Sequence, residues 1–406
     1  MVFGKRGARR LFAAGLALLV LLAAVGCANP FAPSRDGKAT SQALLDELRS
    51  QEQDAASSTG AKQRPDTASG KKETRSSAPQ DTAQEFPDLL KELVGGGGSD
   101  SKAFSELLDG LLGGGTKREA VRPFAEGSAQ GNRGLVFEAK KDGRTVYLMG
   151  TIHVAKREMY PFSVEVKKAF QESGALAVEA DVISLGEQLA SVGYVLDGMY
   201  TDGRTYRDVL PEDVVQKVDE FKSHSPERAA LLLDSYKPWY LFLTVSQLRM
   251  SVLKDFTPAY GIDVVLIQEA KRLGKPVRSL EGASAQMELF SNLPDDVFAE
   301  LLRKELTQDD SAYRQELELL HDLVRTGNAS VLTQSAVNDY RGKNQALETY
   351  YQKVIVERNQ TMAQRIEEEL RGGGPPLFVA VGAAHVVGPD GLAEIFRKKG
   401  YTVRQL

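Results

Sequence analysis

Hydrophobic and polar positions divide this 406-residue chain into three stretches. Leu11 to Val25 is an apolar run without a charge, preceded by Lys5, Arg6, Arg9 and Arg10. From about residue 28 to 130 the pattern dissolves into Ser, Gly, Gln, Lys, Asp and Ala, with glycine runs at Gly95 to Gly98 and Gly113 to Gly115. Such a composition cannot bury enough apolar surface to offset the entropy lost on ordering. Three short amphipathic pieces interrupt it, Ala43 to Leu48, Phe86 to Val94 and Phe104 to Leu112; these are expected to be transient helices, with partner docking as the alternative. From about Gly131 to Leu406 the periodicity becomes regular, and this stretch is long enough for one large core.

Within that last stretch, Leu135 to Ala139 and Thr145 to Met149 predict a hairpin across a segment containing Asp142-Gly143, a strong turn signal. Phe162 to Ser173 predicts a helix, and Ala175 to Val178 a short buried strand ending at Glu179. Helices are expected over Ile183 to Met199, Tyr206 to Leu210, Pro211 to Lys222, Glu227 to Asp234, Pro238 to Val252 and Gly261 to Leu273. Pro276 to Leu280 predicts a strand ending at Glu281. Further helices are expected over Ala283 to Asn292, Pro294 to Leu306 and Asp309 to Arg325, and a long one over Ala346 to Leu370. Leu377 to Val381 is a buried strand, Gly388 to Lys398 a turn leading into a helix, and Tyr401 to Gln405 a last strand. The expected fold is therefore of α+β or α/β type: a central mixed sheet closed by both ends of the domain, flanked by helices, with a large helical insertion.

The amino-terminal stretch gains meaning from the single cysteine. A basic start, an apolar run of about 15 residues and small residues before a cut describe a secretory signal peptide, shorter than the roughly 20 residues that span a bilayer. Cys27 follows Ala24-Val25-Gly26 and resembles the lipidated cysteine of a bacterial lipobox, although the usual large aliphatic residue three places earlier is Ala24 here. The expected organisation is a signal peptide over 1–26, a lipidated Cys27 with a tether over 27–130, and a folded domain over 131–406. The protein would then sit in the cell envelope, facing the periplasm or the exterior, with membrane lipid as a partner through Cys27. An uncleaved transmembrane anchor is the alternative. The net charge of −4 and the absence of a basic stripe with interleaved aromatics argue against a nucleic-acid partner.

Two segments of the folded stretch carry the same motif. Val146-Tyr147-Leu148-Met149-Gly150-Thr151-Ile152-His153 and Phe378-Val379-Ala380-Val381-Gly382-Ala383-Ala384-His385 each run from a buried strand into Gly-x-x-His. This places each histidine past the carboxyl end of a strand, the edge where open α/β sheets bind ligands. If the two strands are neighbours, both imidazoles point into one crevice. Two more strands end in carboxylates, Glu179 and Glu281. Two histidines and one or two glutamates suit a divalent ion such as Mn, Co, Zn or Fe, and such an ion can activate water. A histidine after one strand is more often a hydrogen-bonded structural residue; its duplication, in a chain with four histidines, favours the site. His224 is expected on the surface, and His321 in the core or on the surface. Arg358-Asn359 lies within the long predicted helix, either on a solvated face or pointing into the crevice, where Arg358 would hold an anionic group and Asn359 would orient substrate or a histidine. The only tryptophan, Trp239 in Lys237-Pro238-Trp239-Tyr240, reads as core.

At these residues the chain resembles the TraB/GumN family, or Tiki–TraB–PrgY superfamily, from about Gly134 to Gln405. The paired motifs match at Gly150 to His153 and Gly382 to His385, the strand-end acid at Glu179 within Glu179-Ala180-Asp181, and the Arg-Asn pair at Arg358-Asn359. Lys237-Pro238-Trp239, Gly261-Ile262-Asp263, Gly274-Lys275-Pro276-Val277 and Leu280-Glu281 extend the similarity. The resemblance implies a sheet-and-helix fold like that of erythromycin esterase and ChaN proteins. It also implies activity in some members: animal Tiki proteins are membrane-tethered metalloproteases using Mn or Co, and bacterial relatives are implicated in limiting peptide pheromones or occur in polysaccharide gene clusters.

Two functions fit the residues. One is a metal-dependent hydrolase, a peptidase, with His153 and His385 on the metal, Glu179 as third ligand or general base, Arg358 and Asn359 stabilising oxyanion charge, and Glu281 and Arg358 contacting substrate. The other is a non-catalytic envelope protein that binds or sequesters a peptide or small ligand, which the lack of a compact His-Glu-x-x-His motif favours. Neither substrate nor oligomeric state is legible. The anchor is testable: Cys27→Ser is expected to move the protein from the membrane fraction to the soluble fraction, and retention on membranes after a high-salt wash would show that lipid on Cys27 is not what holds it.

Overall fold

A computed structural model describes residues 121–124 and 131–406, except 185–186, 188–193, 195–196, 225–233, 252 and 339. The apolar run, Cys27 and the tether apart from residues 121–124 lie outside the described residues, as do most of the residues expected to be helical over 183–199 and 227–234. Among the described residues no helix is long and apolar enough to cross a membrane.

The domain starts with the expected hairpin. Strands β1 (Leu135–Lys141) and β2 (Arg144–Thr151) run closer to the turn than predicted, leaving only Asp142 and Gly143 between them. Both turn residues have positive φ, 49° and 75°, as the tightest hairpin connection requires. With β3 (Ala175–Val178), β4 (Val277–Ser279), β5 (Leu377–Gly382) and β6 (Thr402–Gln405), they form a six-stranded sheet in the order β4-β3-β5-β2-β1-β6. β4, β3, β5 and β2 are mutually parallel, whereas β1 is antiparallel to both β2 and β6. The central strands β3 and β5 are buried along their whole length, which explains why they read as unbroken apolar runs rather than alternating ones. The sheet is thus mixed and helix-flanked, as expected.

Among the described residues the helices are α1 (Val164–Glu172), α2 (Glu212–Ser223), α3 (Pro238–Ser251), α4 (Ile262–Arg272), α5 (Ala283–Ser291), α6 (Asp295–Glu305), α7 (Asp310–Thr326), α8 (Ala329–Asn338), α9 (Gln345–Tyr351), α10 (Arg358–Leu370), α11 (Ala383–Val386) and α12 (Leu392–Lys398). Polar caps set several starts: Ser163, Asp309 and Asn344 each accept a backbone N–H of the first turn. α2 to α4 fill the connection from β3 to β4, and α5 to α10 that from β4 to β5. Three elements differ from the pattern-based expectation. Tyr206–Asp208 closes only a 3-10 turn, in which Asp208 accepts from the Thr205 N–H and hydroxyl. α8 was not expected; Asn328 opens it by accepting from Val331 N. The long helix over 346–370 is interrupted by a π-helical segment, Gln352–Glu357, between α9 and α10.

The helical part of the core holds its own buried polar cluster. Arg249 on α3 is 1% exposed, donates to the carbonyls of Glu305, Gln308 and Asp309, and lies over the Tyr313 ring, 4.4 Å from its centroid. Burial pushes the carboxyl of Glu305, the last residue of α6, up to about 7, with Arg249 and Lys304 offsetting only part of the rise. The unfolded chain releases this proton near the ordinary glutamate value and the folded protein near 7, so stability present at low pH is lost as pH rises through that window. Replacing Glu305 by Gln is expected to remove the loss. Relative to wild type, the variant should gain about 2.5 kcal/mol between pH 5 and pH 8 in urea unfolding. An equal difference at both pH values would show that Glu305 is ionised throughout.

Candidate functional site

Parallel pairing fixes what lies at the carboxyl edge of the sheet. β2 pairs with β5 from Val146↔Leu377 to Thr151↔Gly382, so the two Gly-x-x-His motifs leave neighbouring strands one residue out of step. β3 lies on the other side of β5, with Val178 opposite Ala380, and β4 beyond it, with Ser279 opposite Val178. Across that edge the chain therefore presents Glu281, Glu179, His385 and His153 in strand order. Gly150 makes the approach feasible: a Cβ there would stand 2.4 Å from a Leu135 methyl and 3.0 Å from the Ala383 backbone. On the other flank, Glu281 and Gly282 both donate their backbone N–H to the Glu179 carbonyl, at 2.9 and 3.0 Å.

His385 sits in α11, fully buried. Its Nδ1 lies 2.7 Å from Asn359 Oδ1, and Asn359 Nδ2 donates to the Asp390 carbonyl at 2.7 Å. A backbone carbonyl only accepts, so the amide orientation is fixed, Nδ1 of His385 must carry the proton, and Nε2 keeps its lone pair. That Nε2 is buried and, among the described residues, has no hydrogen-bond partner. Burial, reinforced by the charge of Arg358, pulls the His385 pKa down to about 4, so the ring is neutral at pH 7. His153 is 5% exposed, with its Nδ1 2.5 Å from Oδ2 of the buried Asp263, the second residue of α4.

Glu179 is 6% exposed and accepts three hydrogen bonds: from Gly382 N at 2.7 Å, Arg358 Nη2 at 2.6 Å and Gln286 Nε2 at 3.0 Å. Burial alone would raise its pKa; the Arg358 guanidinium and the Gly382 N–H overcome that and hold the carboxyl well below the usual carboxylate range. Arg358 also pairs with Glu281, Nε donating at 3.0 and 3.1 Å and Nη2 at 2.5 Å. One guanidinium thus faces two carboxylates. The formal charge of the cluster is −1, beside two imidazoles each anchored through Nδ1.

Arg358 and Asn359 are both buried, at 7% and 0% exposure, because they occupy the apolar stripe of their helix, with Val354 and Ile355 on one side and Met362, Ala363 and Ile366 on the other. Glu281, Gln286 and Arg358 also line a cavity of about 210 Å³, together with Leu289, Lys353 and Thr361, so Arg358 is shared between this cavity and the buried Glu179. Three partners carry no chemical signal of their own in the sequence: Asp263 lies within Gly261-Ile262-Asp263 with nothing local to mark its role, and neither Gln286 nor the Asp390 carbonyl has any local signal. The other histidines lie elsewhere: His224 is exposed and bonds the Glu220 carbonyl, while His321 is buried edge-on to Phe256. Trp239 is buried in the core against Tyr240.

The donor chemistry fits a divalent ion in part. Each imidazole is held through Nδ1 by an oxygen acceptor, the usual support of a metal-bound histidine, and the cluster lacks one positive charge. Yet among the described residues no three His, Cys, Asp or Glu side chains are grouped to hold a metal, and Glu179 is committed to Arg358, Gly382 and Gln286.

A mixed sheet with two Gly-x-x-His turns and a strand-end glutamate at one edge defines a class of proteins. Residues 135–405 match the sequence profile of the TraB/PrgY/gumN family, and the chain belongs to it. It is 28% identical to YbaP, an uncharacterized protein of Escherichia coli K12, over 63% of this chain and 88% of that one. It is 26% identical to the metalloprotease TIKI2 of Danio rerio, over 63% of this chain and 57% of that one. Against the human metalloprotease TIKI1 the identity is 24%, over 63% of this chain and 59% of the relative. The match thus spans little more than half the length of the Tiki proteins.

Removing Arg358 would leave two carboxylates buried without their cation. Arg358→Ala is expected to cost about 3–5 kcal/mol at pH 7. The depressed pKa of Glu179 contributes stability that is full above the ordinary carboxyl pKa and is lost as pH falls below it. The penalty should therefore shrink between pH 7 and pH 3 in denaturant titrations. A penalty independent of pH would mean that Arg358 contributes by packing alone.

Proposed function

We propose that this protein is a metal-dependent hydrolase of the cell envelope, acting on peptides, with its site at the carboxyl edge of β4, β3, β5 and β2. The observation that carries this reading is the buried, proton-free Nε2 of His385, held by Asn359 beside Glu179 on the edge that also carries His153. Both Tiki relatives compared above bear the name metalloprotease, which supports the reaction class. His153, His385 and Glu179 would hold the ion, one of Mn, Co, Zn or Fe, and when bound it would supply a polarised carbonyl and an activated water. Three hydrogen-bond donors, the Arg358 guanidinium among them, make Glu179 a weak base, which supports the ligand role over that of general base. Asn359 keeps His385 in one tautomer. Arg358 and Glu281, on the cavity wall, would meet the substrate, with Arg358 taking its anionic group. Lipid on Cys27 would hold the domain at the membrane through the tether over 27–130.

A second reading, a protein that binds or sequesters a peptide or small ligand without turning it over, is favoured by one observation: Glu179 is engaged by Arg358 rather than grouped with the two imidazoles. Metal content and peptide turnover of the purified protein, with and without chelator, separate the two. His153→Ala and His385→Ala are each expected to lower bound metal, and Glu179→Gln to lower metal affinity and turnover together, turnover by about 100-fold or more. Wild-type protein that retains no Mn, Co, Zn or Fe above a control would defeat the metal-dependent reading.

A further inference from the structure

The segment that backs His153 is built with unusual closeness. Ile262 N donates to the Ile152 carbonyl at 3.0 Å, and Ala155 and Thr257 exchange both backbone hydrogen bonds, at 3.0 and 3.3 Å. Gly261 lies so near the His153 carbonyl that a Cβ there would stand 2.2 Å from its oxygen. Tyr160 adds a hydroxyl bond to the Tyr260 carbonyl at 2.9 Å. These contacts pin residues 257–262 along the histidine turn, and the first turn of α4 then delivers Asp263 to Nδ1 of His153 at 2.5 Å. The first turn of a helix is also where the macrodipole favours an anion.

We propose that Asp263 is a further positioning residue of this site: its carboxylate fixes His153 as the Nδ1–H tautomer and so dedicates Nε2 to the buried edge that Glu179 and His385 share. An ionised carboxylate can only accept, so Nδ1 must donate to it, and a neutral ring then has its lone pair on Nε2. His385 reaches the same state by another device, an amide whose direction is set by the Asp390 carbonyl. The two motif histidines are thus alike in tautomer and unlike in support. Among the described residues an amide at 263 has no such anchor, and its NH2 can donate to Nδ1 and drive the proton to Nε2. That failure is known in principle for histidines whose backing carboxylate becomes an amide.

The role in turnover rests on the hydrolase reading, whereas the tautomer does not. The test is therefore NMR of the imidazole nitrogens in the full chain, labelled with 15N-histidine, in metal-free buffer. The chain has four histidines, and His153→Gln identifies the resonances of interest. Wild-type protein is expected to show His153 protonated at Nδ1 and bare at Nε2. Asp263→Asn should shift His153 to the Nε2–H form while His385 keeps its own tautomer. Turnover, where present, should fall on the order of 10²-fold or more in kcat with little change in KM. An Nε2–H ring in the wild type overturns the proposal without any variant, and so does an Asp263→Asn protein whose His153 stays Nδ1–H. A protein without hydrolase activity that still shows the tautomer shift keeps the positioning role and removes only the hydrolase reading.

Discussion

A single guanidinium set against two buried carboxylates is the constraint on which this site depends. Glu179 and Glu281 leave adjacent parallel strands at the same edge, and their charges would repel if nothing stood between them. Arg358 reaches both from a helix that lies far along the chain. Its planar fork allows this, bonding Glu281 through Nε and Nη2 and Glu179 through Nη2. Gln286 bridges the same two carboxylates from α5, at 3.0 and 3.4 Å, so the pairing does not hang on one side chain. Burying three charges is costly, and such an arrangement is poor evidence for stability in itself. Here it sets geometry: with Arg358 in place, Glu179 is pinned between the Gly382 N–H and the guanidinium, and the turn carrying His385 is tied to β3.

Much of this architecture was written in local patterns. Asp142-Gly143 between apolar strands specified the hairpin, and the apolar runs of β3 and β5 specified strands covered on both faces. The repeated strand–Gly-x-x-His context marked both histidines as edge residues. Whether they shared an edge was not legible, because adjacency of β2 and β5 is a tertiary fact that no local pattern carries. Arg358 and Asn359 were more legible than a charged pair in a polar helix suggests. They fall three and four residues after Ile355, and Met362 and Ala363 follow at the same spacing, so they share the apolar stripe. Lys353 and Glu357, which bond to each other on the outer face, obscured that stripe. The π-helical segment ahead of Arg358 had no composition cue. Asp263 and Gln286 were illegible for another reason: each matters through a partner more than a hundred residues away in sequence.

The two imidazoles give the edge its chemical direction. A buried acceptor without a partner costs about 1–3 kcal/mol, and among the described residues His385 Nε2 is such an acceptor. The fold bears this cost while spending Asn359 and the Asp390 carbonyl to keep the proton on the other nitrogen. A histidine needed only for packing would gain nothing from that support. A histidine meant to offer a lone pair needs it, since tautomer exchange would bury an N–H where the lone pair is wanted.

What separates a catalytic from a sequestering role is therefore Glu179 more than the histidines. Both roles use oriented lone pairs, and both tolerate a closed edge at rest. Only the catalytic role requires the carboxylate to share itself with a third party. Each oxygen of Glu179 has two lone pairs; Gly382 uses one on Oε1, while Arg358 and Gln286 take those on Oε2. Among the described residues Oε1 thus retains one beyond its bond to Gly382 N, on the oxygen tied to the turn that carries His385. A ligand bond from that position would leave the Arg358 pairing intact, so the ion-pair network and a cation beside the imidazoles are chemically compatible. The guanidinium then serves both ends of the site, setting the carboxylate on the buried side and presenting a positive charge to the cavity on the other.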